Sequence, residues 1–366
     1  MDINGNLKTP CNIYGICGCK QSGKNTVARI WQLLDFYYKM GKDYWVKYAA
    51  INGKIKKFTD IDYVLNNLQF ENKNSNWQEK SFAHSLKKIL CILFGCTMEQ
   101  LEDEEFKNSK VPEEWKVWEI EYKSYNDIIT HSKLSPTKEE AILEFNRLDN
   151  RDLIVREPYE YLPTYREVLQ YIGTDLFRNQ LHPNWSINAL FSEYHPKVVI
   201  NSAYGNDYQE IPFDKNKKEH IDLWKGQQIV GLKGLGDNLP SWLITDVRFQ
   251  NEADAVTERG GKLIKVIRYK VGDKVWFNDE SDEDKNQSGE YEIIGIHSNE
   301  EYLISNGTTE MGAWNYEISH INTDTHASEV EQDSIPVHYT IHNSNTLEDL
   351  IESVKYIMIE EGVIKV

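Results

Sequence analysis

Residues 12–31 read NIYGICGCKQSGKNTVARIW, and the fold follows from this stretch. Asn12 to Cys17 is a short apolar run of the length of a buried strand, and Gly18 to Gly23 is a glycine-bounded turn. From Lys24 to Lys39 the apolar residues Val27, Ile30, Trp31, Leu34 and Tyr38 recur at spacings of three and four, one stripe of a helix. Between strand and helix, GCKQSGK at 18–24 supplies the GxxxxGK skeleton of a phosphate-binding loop. Glycines let backbone N–H groups turn inward onto phosphate oxygens, the helix N-terminus adds its positive dipole end, and Lys24 reaches the outer phosphates. The hydroxyl residue that usually follows the lysine is replaced by Asn25, and Thr26 comes one place later. Lys20 puts a second positive charge inside the loop, where it could hold an acceptor phosphate against a donor.

Outward from the loop, the chain alternates strand, loop and helix, which reads as a parallel sheet flanked by helices. Residues 242–246, WLITD, are a buried strand ending in Asp246, with Arg248 and Glu252 close behind. Open sheets of this kind bind ligands at the carboxyl ends of their strands. A helix near Ser85 carries Leu86, Ile89, Leu90 and Leu93 on one face and stops at Gly95. Another, from Tyr165 to Gln180, has the stripe Val168, Leu169, Ile172 and Leu176, with Arg166, Gln170 and Gly173 on an adjacent face. Further strands are expected at 263–267 and 337–341, and a closing helix at 347–359. Residues 43–80 read as an irregular excursion, 97–160 as helical in pieces, and 196–240 as hairpins.

Residues 270–321 break the rhythm. DKVWF, GEYEIIGI, EYLISN and WNYEISHI are short strands, separated by an acidic loop at 279–284 and by turn residues at Asn306-Gly307. This predicts a small inserted β-barrel, SH3-like, between the halves of an α/β domain at 1–269 and 322–366. Tyr291, Tyr302, Trp276 and Trp314 would fill its core, some of them forming a surface for a protein partner. The insert carries none of the predicted phosphate ligands and reads as dispensable for the chemistry.

Composition narrows the function classes. The chain has 366 residues, 40% hydrophobic and 12% aromatic, with a net charge of −17. This excludes a disordered chain and argues against a binder of polymeric nucleic acid, which would carry a basic face. No apolar run is long enough for a membrane span, and no secretory leader is evident. The five cysteines, Cys11, Cys17, Cys19, Cys91 and Cys96, contain no CxxC pair and read as free thiols of a cytoplasmic protein.

With these elements in place, the chain resembles the bacteriophage deoxynucleoside monophosphate kinases. The blocks that carry the likeness are GCKQSGKNTVA (18–28), SFAHSLKKILCILFG (81–95), EQLEDEEFKNSKVPEEW (99–115), YREVLQYIGTDLFRNQLHPNWSINAL (165–190), LITDVRFQNEADAV (243–256) and HASEVE (326–331). The resemblance implies a three-layer P-loop kinase fold of α/β class and ATP-dependent phosphorylation of a deoxynucleoside monophosphate, in host-cell cytoplasm. It implies that Gly18, Ser22, Gly23, Lys24, Asn25 and Thr26 hold ATP, with Mg²⁺ on Thr26 and Asp246. Lys20, Leu86, Lys87, Arg166, Gly173, Thr174, Trp185, Asp246, Arg248 and Glu252 would shape the acceptor site. Lys20, Lys24 and Arg248 would neutralise charge in transfer, with Arg268 assisting. Arg166 would clamp the acceptor phosphate through its planar fork. Gly173 would let base or sugar approach the helix, and Trp185 would stack on the base or fill core. A dephospho-coenzyme A kinase-like enzyme and a non-catalytic nucleotide-binding module with a protein-binding barrel are the rival readings. A homodimer stays open.

Overall fold

A computed structural model describes residues 11–41, 44–45, 59–69, 75–124, 131–149, 153–194, 197–201, 208–212, 239–278, 287–321 and 331–365. The chain forms two compact units, Met1–Ser81 with Phe191–Val366, and Phe82–Leu190. The sequence reading did not foresee this division.

The first unit opens with β1 (Ile13–Cys17), α1 (Lys24–Met40), α2 (Asp60–Asn67) and β2 (Trp77–Lys80). The second unit then follows with α3 (His84–Phe94), α4 (Glu104–Asn108), β3 (Val117–Ser124), β4 (His131–Ser135), α5 (Lys138–Asp149), β5 (Leu153–Val155) and β6 (Tyr159–Tyr161). It ends in α6 (Tyr165–Gln170), a π-helix (Tyr171–Leu181) and α7 (Trp185–Phe191). Back in the first unit come β7 (Lys197–Asn201), β8 (Tyr208–Pro212), β9 (Ser241–Ile244), α8 (Gln250–Thr257) and β10 (Lys262–Ile267). The inserted segment gives β11 (Lys274–Phe277), β12 (Gly289–Ile296), β13 (Glu301–Ser305), β14 (Glu310–Trp314) and β15 (Ile318–His320). β16 (Tyr339–His342) and α9 (Leu347–Glu360) close the chain.

The first unit is built on a parallel sheet in the order β16-β10-β1-β9-β2. Alternation along β1 sends Tyr14 and Ile16 to one face, where they join Trp31, Leu34, Ile264, Val266, Ile341, Leu350 and Val354 in a buried core from α1, β10, β16 and α9. Gly15 faces the other way, and a Cβ there would stand 2.8 Å from Leu263 Cδ2 and 3.4 Å from Val256 of α8. Helices therefore cover both faces, a mixed α/β arrangement consistent with a P-loop kinase-like fold. Glu361, 2% exposed, receives Lys262 Nζ at 2.7 Å and the hydroxyls of Tyr14 and Tyr339.

Several expectations need correction. Within 43–80, residues 60–67 form α2, started by a reciprocal Thr59–Asp62 capping box. Residues 97–160 hold four strands as well as helices. Glu119 and Glu121, two apart on β3, share one face, where both carboxylates meet the Tyr159 hydroxyl at 2.7 Å. Charges in a stretch that reads as helical in pieces are thus satisfied across a strand. The 165–180 helix is α-helical only to Gln170; the wider π winding then leaves Leu176 exposed and packs Phe177 in its place. The hairpin expected in 196–240 appears as antiparallel β7 and β8, while 213–238 lies outside the described residues.

The insert is a five-stranded antiparallel sheet, β14-β13-β12-β11-β15, around Tyr269, Val275, Phe277, Tyr291, Ile293, Tyr302 and Ile304. Its described hydrogen-bond ladder runs from β14 at one edge to β15 at the other. Tyr291 and Tyr302 are core residues as expected, but Trp276 and Trp314 are each 47% exposed. The acidic loop at 279–284 and most of the HASEVE block lie outside the described residues. None of the five cysteines forms a disulfide among the described residues. Among the described residues no helix is long and apolar enough to cross a membrane.

Candidate functional site

The carboxyl ends of β1 and β9 lie side by side, since the strands pair in parallel from Ile13↔Trp242 to Gly15↔Ile244. The 18–24 loop leaves β1 there, and Asp246 and Arg248 leave β9 there. The loop backbone needs its glycines: Gly18 has φ 139° and Gly23 φ 103°, both in the region L side chains rarely adopt. A Cβ on Gly18 would also fall 2.2 Å from the Val266 carbonyl oxygen. Between them Gln21, at φ 62°, is alone among the described non-glycine residues in having a positive φ. Such strain persists where surrounding structure enforces it, commonly at ligand-binding loops.

Lys24 sits in the first turn of α1 and donates from Nζ to the carbonyls of Gly18 at 2.6 Å and Cys19 at 2.8 Å. Its ammonium is thereby folded over the loop. α1 begins at Gly23 without a side-chain cap and without an acid in its first turn, whereas α2, α6 and α9 each carry a capping box. Ser22 is buried, and among the described residues its hydroxyl has no hydrogen-bond partner. An uncapped helix start, an orphaned hydroxyl and a lysine folded over the loop make a setting suited to an anion. Lys20 and Asn25 are exposed at its rim and Thr26 is half-buried.

Asp246 is half-buried and accepts from the Ser81 hydroxyl at 2.6 Å. Ser81 follows β2, the neighbour of β9, so three strand ends contribute to this corner. Glu252, 4% exposed, accepts from the backbone N–H groups of Arg248 at 3.0 Å and Phe249 at 3.3 Å. Its carboxylate caps α8 and fixes the backbone of Arg248. Arg268 is exposed at the root of the insert.

The remaining predicted residues belong to the second unit. Lys87 pairs with Glu102 at 2.5 Å. Arg166 directs one guanidinium nitrogen to Glu104 at 2.6 Å and another to Asn108 at 3.0 Å. Gly173 packs against α3: a Cβ would stand 2.8 Å from Leu86 Cδ2, and its carbonyl accepts from the Trp185 indole at 3.2 Å. The closeness at Gly173 therefore serves helix packing. Trp185 meets Phe177 edge-on at 5.0 Å within an apolar cluster, which favours the core-filling alternative. Thr174 is half-buried on the π-helix.

Two contacts escaped the sequence reading. One is Ser81 on Asp246. The other is Asn343, whose amide donates to the Ser22 carbonyl at 2.8 Å. Its position just beyond a strand of the sheet was the available signal.

No family model matches the chain. Over 147 residues it is 28% identical to a protein of Acanthamoeba polyphaga mimivirus named "Putative deoxynucleotide monophosphate kinase". The match covers 40% of this chain and 56% of that protein, so the chain spans little over half the length of its relative. The likeness supports a kinase, a transferase, in general. That relative belongs to a giant virus, and the expected bacteriophage origin gains no support from it.

Proposed function

We propose that the chain transfers the γ-phosphoryl group of ATP to the phosphate of a deoxynucleoside monophosphate, giving the diphosphate. The observation that carries this reading is the cradle at 18–24 with Lys24 folded over it, set beside Asp246 at the end of the neighbouring strand. The likeness to a protein named as such a kinase supports the acceptor class.

In this reading Gly18, Ser22, Gly23, Lys24, Asn25 and Thr26 hold the ATP phosphates. Lys20 and Arg248 offset the charge that develops in transfer, where catalysis is mostly positioning and electrostatics. Leu86, Lys87, Arg166, Thr174 and the Gly173–Trp185 pair belong to the acceptor side. The Thr26 hydroxyl and Asp246 carboxylate are hard oxygen donors of the kind Mg²⁺ accepts alongside phosphates and water. The ion would supply further neutralisation of the phosphates. Residues 270–321 are read as an SH3-like insert within a kinase domain formed by 1–269 and 322–366.

The test is coupled ADP release with each deoxynucleoside monophosphate in turn, and with dephospho-coenzyme A as a competing acceptor. ADP formation that depends on a deoxynucleoside monophosphate is expected. Release with dephospho-coenzyme A alone, or with no acceptor dependence, would overturn the reading.

A further inference from the structure

We propose that the inserted β-module is a brace for the phosphate loop, acting through Asn299 as a positioning residue; this rests on reading 18–24 as an ATP-binding loop. The side-chain oxygen of Asn299, in the turn between β12 and β13, accepts from the backbone N–H groups of Ser344 at 2.9 Å and Asn345 at 2.8 Å. Immediately before them, Asn343 ties its backbone N–H to the Ile267 carbonyl at 2.7 Å and its side-chain amide to the Ser22 carbonyl at 2.8 Å. The same amide fills the space above Gly23, where a Cβ would lie only 2.4 Å from it. One short segment, 343–345, thus spans from the module to the loop.

Both ends are anchored. The Ser298 hydroxyl accepts from the N–H groups of Glu300 and Glu301, and the Tyr302 hydroxyl, from the centre of the module's core, donates to the Asn299 carbonyl at 3.1 Å. Two further ties run in parallel. The Tyr269 N–H donates to the Ser344 hydroxyl at 2.9 Å, and Lys270 Nζ to the Gln21 side chain at 3.2 Å. Gln21 holds the strained left-handed backbone of the loop. A cradle for phosphate depends on backbone N–H groups held in one orientation before the ligand arrives. The module therefore preorganises the loop without touching the nucleotide, and its removal is not neutral, contrary to the dispensable insert that the sequence suggests.

The experiment compares the full chain with Asn299→Ala and Asn299→Asp, measuring ATP affinity by titration calorimetry with Mg²⁺, KM for the monophosphate, and the thermal midpoint. Loss of two hydrogen bonds to the bracing segment should weaken ATP binding in Asn299→Ala by about five- to tenfold. KM for the monophosphate should stay near the wild-type value. Asn299→Asp, whose carboxylate accepts from the same two N–H groups, should restore ATP affinity. Wild-type affinity in a folded Asn299→Ala overturns the proposal. Should that variant not fold, Asn343→Leu removes the donor to Ser22 while leaving the module's turn intact, and unchanged ATP affinity there overturns it equally. Failure of the wild-type chain to bind ATP would instead bring down the reading of the loop, and the brace with it.

Discussion

Lys24 Nζ lies 2.6 Å from the Gly18 carbonyl oxygen, six residues back along its own loop. The side chain closes a ring over its own loop through the Gly18 and Cys19 carbonyls, and in the proposed reading its charge would meet the outer phosphates. Swinging from these carbonyls to a phosphate exchanges neutral acceptors for charged ones, which strengthens the bonds it makes.

Replacing Lys24 with Ala should therefore lower kcat by well over tenfold, a loss of more than ~1.4 kcal/mol in transition-state stabilisation. The fold should persist, because the core of α1 faces the sheet through Val27, Ile30, Trp31 and Leu34. Steady-state kinetics beside circular dichroism check both halves. A mutant that keeps more than a tenth of wild-type kcat shows that Lys24 is not the phosphate lysine.

Arg166→Lys should raise KM for the monophosphate far more than KM for ATP, since lysine lacks the planar fork. The competing account is structural. The pair with Glu104 is partly exposed on both sides, and such pairs contribute up to about 1 kcal/mol. A variant with both KM values unchanged and a small drop in thermal midpoint assigns Arg166 to that pair alone.

Glu361 is buried at the meeting of β1, β10, β16 and α9, and its removal should be among the most damaging changes to stability. Glu361→Ala would strand Lys262 and the Tyr14 and Tyr339 hydroxyls. Leaving a buried hydroxyl without its acceptor costs roughly 1–3 kcal/mol, while Lys262, 23% exposed, regains part of its hydration. Denaturant unfolding should show this loss, and Glu361→Gln, which keeps the acceptor, should recover part of it. A loss below about 1 kcal/mol would count against a buried network.

Acid should destabilise the first unit through His342. Its ring Nδ1 is buried with no hydrogen-bond partner among the described residues, and burial pushes its pKa below the ordinary 6.5, partly offset by the nearby charge of Glu300. The neutral ring is the folded form, so the stability it contributes is present above pH 6.5 and lost as pH falls below that value through the folded pKa. His342→Leu should flatten the pH dependence of the thermal midpoint below pH 6.5. Identical acid slopes in the two proteins would exclude the histidine as the source.

Sequence alone determined the elements whose physics is local. The strand, loop and helix of 13–40 follow from an apolar run, two glycines and a three-to-four stripe. The order of β9, α8, β10, β16 and α9, and the β character of 270–321, follow from patterns of the same short range. Tertiary structure alone decided matters that depend on partners distant in the chain. Glu119 and Glu121 belong to a strand because Tyr159, some forty residues on, meets both. Leu176 leaves its stripe because the helix widens after Gln170, which exchanges it for Phe177. Gly173 is small for the sake of Leu86, almost ninety residues earlier. The ties from Asn299 to 344–345 and from Asn343 to Ser22 bring asparagines beside a loop more than 270 residues away in sequence. Asparagine has no periodicity to betray such a role. Its geometry emerges only once the parallel sheet has set the ends of β1, β10 and β16 next to one another.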